Sequence, residues 1–267
     1  MRKLFHEIKE LAVTIAIFIP IWFIVYTFAY ELRSIPSESM VPTLQVGDRV
    51  AVSKFTYGYS KHSVPFGIGR AIGLPDGRLF GSEPERGDVV VFHHPHLDRT
   101  MIKRLIGVPG DKIEVRRNRV YLNDELLPQD PQRRVVYREA RNNRRIQADE
   151  LTETLPTGPS YLVHDILSKP NRSSVTFIVP EGYYFFMGDN RDNSADSREL
   201  FGHCPTDENG VISAAGCVPD LPPGVEPTIG FVPYDNLIGR ADTVLFTLNF
   251  CTRYELNCPK GRVWKSL

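Results

Sequence analysis

The chain has 267 residues, 42% of them apolar and 24% charged, with 32 basic side chains set against 32 acidic ones. That balance excludes the basic footprint of a nucleic-acid binder, and the length allows one large domain or a core with an insert.

Residues 11–30 carry no charged side chain. Twenty helical residues rise about 30 Å, the depth of a bilayer's hydrocarbon core. Pro20 is tolerated in such a span, and Trp22, Tyr26 and Tyr30 sit in its outer half, Tyr30 where an interfacial anchor belongs. A cleavable leader would have a shorter apolar core followed by small residues, whereas Glu31-Leu32-Arg33 follows here. Residues 1–10 are therefore a tail and 11–30 an uncleaved anchor. Arg2, Lys3 and Lys9 before the span outnumber Arg33 and Arg49 shortly after it, which favours a cytoplasmic N-terminus.

Past the anchor, short apolar runs alternate with Gly/Pro/Asp turns. Strands are predicted over 49–55, 88–92, 101–108, 112–122 (turning at Asn123-Asp124), 177–187 with a break at Pro180-Glu181-Gly182, and 243–250. Residues 58–84 read as an extended excursion. Residues 129–150, with Arg133, Arg134, Arg138, Arg141, Arg144 and Arg145, read as a solvated loop or insert rather than an anionic-lipid contact. Residues 203–229 read as a surface loop. No 3.6-residue apolar period persists after the anchor, so the fold is mainly antiparallel β.

Cys204, Cys217, Cys251 and Cys258 all fall in the last 64 residues. Outside the cytoplasm they can pair in three ways, and Cys204–Cys217 with Cys251–Cys258 closes the shortest loops. No CxxC or HxxxH spacing supports a metal.

Two prolines fence Ser37 and Ser39 in Pro36-Ser37-Glu38-Ser39-Met40-Val41-Pro42, a few residues beyond the anchor. A serine hydroxyl needs a base. His93, His94 and His96 have no acidic partner at a recognisable spacing and read as a polar loop. Lys103 is the other candidate: period-2 geometry puts it on a face with Met101 and Leu105, with Arg104 on the opposite face beside Ile102 and Ile106. Burial can turn a lysine into a base, whereas an arginine keeps its proton. An edge lysine snorkelling to water stays open at this point. The charged run 188–198 reads as a self-satisfied Asx-turn loop or as support for the base.

The stretches Ile35 to Leu44 with Gly47-Asp48, Arg86 to Phe92, Met101 to Asp111, and Gly188 to Arg198 resemble, in that order, the sequence boxes of bacterial type I signal peptidases. The resemblance implies a β catalytic core over 31–113 and 179–267, with a smaller inserted β cap over 114–178. It makes Ser39 the nucleophile and Lys103 the general base, with the Ser37 hydroxyl and the Ser39 N–H forming the oxyanion hole. Ser194 would hydrogen-bond the lysine, supported by the Asp196–Arg198 pair, while Asp189 and Arg191 look structural. Ile35, Pro36, Met40, Leu44 and Ile102 would line shallow substrate pockets.

The implied activity is removal of signal peptides from exported preproteins after Ala-x-Ala-like sites, at the outer face of the bacterial cytoplasmic membrane, with no cofactor, metal or nucleic acid. Met101, often aromatic in relatives, and the cysteine-bearing 203–229 segment depart from the pattern. The rival readings are an inactive membrane-anchored β-rich binding module of the same fold and a self-cleaving Ser-Lys protein of the repressor type, although the latter needs a DNA-binding headpiece.

Overall fold

A computed structural model describes residues 2–64, 67–199, 211–212, 229–248, 253–257 and 262–267. Helix α1 (Arg2–Phe28) contains a window, His6–Tyr26, of mean hydropathy 2.1 with none of it buried against the protein. After it come β1 (Tyr30–Ser34), β2 (Asp48–Ser53), the single helical turn α2 (Ile68–Ala71), β3 (Val89–His93), β4 (Thr100–Gly107), β5 (Lys112–Arg116), β6 (Arg119–Leu122), β7 (Glu125–Leu126), β8 (Gln129–Arg138) and β9 (Arg145–Thr154). Then follow β10 (Ser160–Ile166), β11 (Thr176–Ile178), β12 (Tyr183–Met187), β13 (Val211–Ile212), β14 (Val232–Pro233), β15 (Leu237–Thr247), β16 (Tyr254–Leu256) and β17 (Lys265–Ser266).

The main sheet runs β1-β2-β15-β3-β4-β12-β14, with β17 on β15, and its strands pair antiparallel. Two smaller sheets, β10-β9-β8-β16 and β13-β11-β5-β6-β7, arise mostly from the chain between β4 and β12. They share a core with the main sheet: Ile106, Phe185 and Met187 pack in one cluster with Ile113, Val115, Leu122 and Phe177.

Three expectations change. The helix begins nearer the N-terminus than residue 11 and gives way to β1 at Tyr30, which pairs with Ser53 and sets its ring edge-on to Phe55. Strand pairing captures Tyr30 because Tyr30 to Ser34 can form a ladder with β2.

Residues 129–150 are not a loop. They form most of the β8–β9 hairpin, where Val135, Tyr137, Ile146 and Ala148 are buried behind the charges. The arginines find acids across the strands, as in Arg133–Glu150 (2.7 Å) and Arg134–Asp149 (2.8 Å), and opposite charges facing each other support a ladder. The strand expected over 243–250 starts earlier, at Leu237, as β15. Cys204, Cys217, Cys251 and Cys258, most of the 203–229 segment, and residues 249–250 lie outside the described residues.

Candidate active site

Loop 35–47 is closed at its base by β-type bonds, Ile35 N–H to Asp48 O (3.0 Å) and Gly47 N–H to Ile35 O (2.9 Å). Asp48 is fully buried; it accepts the Gln45 N–H (2.8 Å) and pairs with Arg262. A turn from Met40 to Leu44 (Leu44 N–H to Met40 O, 2.8 Å) aims both side chains into a core with Val50, Val52, Val89 and Val244. The residues expected to line substrate pockets divide between the core and the surface. Met40, Leu44 and Ile35 are buried beneath the loop and hold it up, while Pro36 is exposed and Ile102 half-buried at its edge.

Held this way, the loop meets β4. Lys103 is 2% exposed and its Nζ donates to Ser39 Oγ at 2.6 Å, across 64 residues of sequence. Burial brings its pKa down from 10.5 to about 8; Asp196 and Asp189 pull it back up, and Arg99 and Arg198 push it further down. Ser37 Oγ lies 3.5 Å from Ser39 Oγ on an exposed residue.

On the other face of β4, Arg104 makes a bidentate pair with Asp189 (2.8 and 2.7 Å), donates to Gly87 O (2.7 Å) and lies over the Tyr161 ring. Which of the two cations faces the serine is thus decided by packing. Arg191 forms a second buried pair, with Glu153 of β9 (2.8 Å through Nη1), and Glu153 also accepts from Tyr161 (2.7 Å).

The 188–198 loop clasps the serine from behind. Asn190 donates its N–H to Ser39 O (3.1 Å) and its amide to Glu38 O (3.1 Å). Asp196 accepts the Gly188 N–H (2.9 Å) and a fork from Arg198 (2.8 Å twice). Burial raises the Asp196 carboxyl, but the Arg198 charge and these bonds prevail and hold it below the usual range.

Ser194 is buried, yet its Oγ has no hydrogen-bond partner among the described residues, so the expected bond to the lysine is not formed. The hydroxyl packs on Gly188, where a Cβ would come within 2.2 Å of it and within 2.5 Å of Ser39 O. Neither contact leaves room for any residue but glycine at 188.

Of the histidines, His94 is fully buried and its Nδ1 accepts two N–H groups of its own turn, while His93 faces Arg70 and Asp98. The basic group at Ser39 is the lysine amine, while these imidazoles are engaged by other partners.

Sequence reasoning missed Glu38. Lodged between the two serines, it is 8% exposed and accepts the Ala140 N–H at the β8–β9 tip (2.7 Å). Burial raises its carboxyl, which that N–H partly offsets. Asn193 reaches Glu139 of the same tip at 3.4 Å. A lone charge within a polar loop gives no periodic signal, so only the packed hairpin exposes this link.

The whole arrangement is a hydroxyl on a braced loop with an amine of lowered basicity at hydrogen-bond distance. Such a pair can deliver a nucleophile to an acyl carbon without a histidine. Known proteins resemble this chain over most of its length. A signal peptidase I of Rickettsia typhi is 35% identical over 225 residues, 81% of this chain and 72% of that protein. One of Rickettsia bellii is 34% identical over 221 residues, covering 80% of this chain and 64% of that protein. A crystal structure of a signal peptidase I from Enterococcus faecalis has 23% identity and a TM-score of 0.29, covering 60% of this chain and 97% of its own. Residues 8–246 match the model of one peptidase family, and at that extent the chain belongs to it: signal peptidase, peptidase S26.

Proposed function

We propose that the chain is a membrane-anchored serine endopeptidase that cleaves signal peptides from exported preproteins after small-x-small sites, using Ser39 and Lys103. The observation that carries this reading is the 2.6 Å contact between Ser39 Oγ and the amine of buried Lys103. With its pKa near 8, a useful share of that amine is neutral in mildly alkaline water.

Neutral Lys103 takes the Ser39 proton as Oγ attacks the scissile carbonyl carbon. The oxyanion accepts from the Ser39 N–H and the Ser37 hydroxyl, each donor worth about 3–4 kcal/mol in such a hole. Lys103 then protonates the leaving amine and the acyl-enzyme remains on Ser39. A water, deprotonated by the same amine, releases the signal peptide. Asp196 and Arg198 support the base by fixing the charge near it.

Helix α1, long and apolar enough to span, would hold this site at the bilayer surface where an anchored preprotein presents its cleavage site. The charge bias around α1 supports a cytoplasmic N-terminus and a catalytic domain on the outer face of the cytoplasmic membrane.

The test is purified full chain in detergent with a preprotein, followed by mass spectrometry of the new N-terminus. A cut after a small-x-small motif, absent with Ser39→Ala, is the expected result. Intact preprotein with the unsubstituted chain, or cleavage of the chain alone, overturns the proposal.

A further inference from the structure

Where α1 meets the β core there is a cleft of about 320 Å3 that the chemistry above does not use. Tyr26, near the end of the apolar helix, lines it with Glu31, Arg33, His62, Arg70 and His93. With α1 spanning the bilayer, the cleft lies at the depth of the lipid headgroups.

The charges there do not balance. Glu31 is 6% exposed and already shared between Lys54 (2.8 Å, itself fully buried) and Arg33 (2.5 Å). One carboxylate between two cations leaves one positive charge over. Arg70 pairs with Asp98 at 2.5 Å, but Asp98 is 80% exposed at its side chain, and an exposed pair of this kind holds its cation weakly.

Two buried nitrogens in the same lining, Arg33 Nε and His62 Nδ1, have no hydrogen-bond partner among the described residues. His62, stacked on His93 at 4.6 Å, has its pKa pushed down to about 4, first by burial and then by His93, Lys61, Arg70 and Arg78. Each of these neighbours acts in the direction of a surplus of positive charge.

We propose that this cleft binds the phosphate of an anionic phospholipid headgroup, gripped by Arg33 and Arg70 at the foot of α1. The site rests on the membrane-anchored reading of α1. Phosphate suits the planar fork of a guanidinium better than it suits a point cation. Its position favours a lipid over free phosphate as the source. Phe28, Tyr30 and Leu32, next to Tyr26 and Arg33 in the chain, all leave apolar surface exposed for the acyl region. A bound headgroup would fix the height of the core above the membrane, and β1 carries that constraint straight into the Ser39 loop.

The test is native mass spectrometry of the full chain in detergent with short-chain phosphatidylglycerol, short-chain phosphatidylcholine or inorganic phosphate. One retained phosphatidylglycerol is expected, bound about tenfold or more tighter than the other two, and Arg33→Gln with Arg70→Gln should lose about that factor, the scale of one charge-assisted hydrogen bond.

A second readout needs no variant. The His62 ring resonances of the unsubstituted chain should shift and its pKa rise when phosphatidylglycerol is added, because an anion offsets its cationic neighbours. Equal affinity for the two lipids, an unmoved His62, or phosphate bound as tightly as the lipid would overturn the proposal. Flotation with mixed phosphatidylglycerol/phosphatidylcholine vesicles separates the two readings. A chain that fails to float refutes the anchor, whereas one that floats without preferring phosphatidylglycerol refutes only the headgroup site.

Discussion

Replacing Lys103 with methionine should make the protein more stable while removing its activity. The amine is 2% exposed and its pKa lies near 8 in the folded chain, against an ordinary 10.5. At about 1.36 kcal/mol for each pH unit, that distance is a cost of about 3 kcal/mol for burying the ammonium. Below pH 8 lysine is protonated both folded and unfolded, so the native state bears the full cost. Between about 8 and 10.5 the unfolded chain binds more protons, and the stability of the unsubstituted protein climbs with pH. Above 10.5 the cost is gone.

Methionine matches the lysine stem in shape and carries no charge, but it forfeits the bond to Ser39, worth about 1 kcal/mol. Lys103→Met should therefore gain about 2 kcal/mol at pH 7, and the gain should shrink through the 8 to 10.5 window. Denaturant unfolding of the full chain in detergent, repeated at several pH values, measures it. The same group should appear as an acid limb near pH 8 in kcat/KM of the unsubstituted protein. A stability difference that stays flat from pH 7 to 10, or an activity limb that climbs without plateau to 10.5, would refute a buried amine of lowered pKa.

Ser37→Ala should lower kcat about 100-fold or more with KM little changed, since its hydroxyl would act only on charge developing in the transition state; steady-state kinetics on a fixed peptide separates the two. Gly188→Ala should cut processing sharply, and adding Ser194→Ala should not restore it, because the new Cβ would still press on Ser39 O at 2.5 Å; recovery in the double variant would place the strain at Ser194 alone. Asp189→Asn removes the charge that holds fully buried Arg104 and should destabilise by about 3–5 kcal/mol, read as a lowered denaturation midpoint.

Features that depend only on composition and local order are legible in the linear chain. An uncharged apolar run needs no partner to form a helix long and apolar enough to span a bilayer, and short alternating runs between turn formers already imply an antiparallel β fold. The order of the boxes around Ser39, Lys103 and 188–198 carried the family.

Packing settled whatever depends on which face is covered. Period 2 put Lys103 and Arg104 on opposite faces of β4 without saying which one met the serine, and the choice came from a loop whose Met40 and Leu44 are buried beneath it. The same burial seats those two side chains in the core beneath the loop. The β8–β9 hairpin was hidden behind arginines whose cross-strand acids cannot be paired until the register is known. Glu38 and Ser194 show the limit most sharply. Each lies within a recognisable motif, yet its contact is set by a group brought in from elsewhere or by a neighbour's missing Cβ, and spacing along the chain encodes neither.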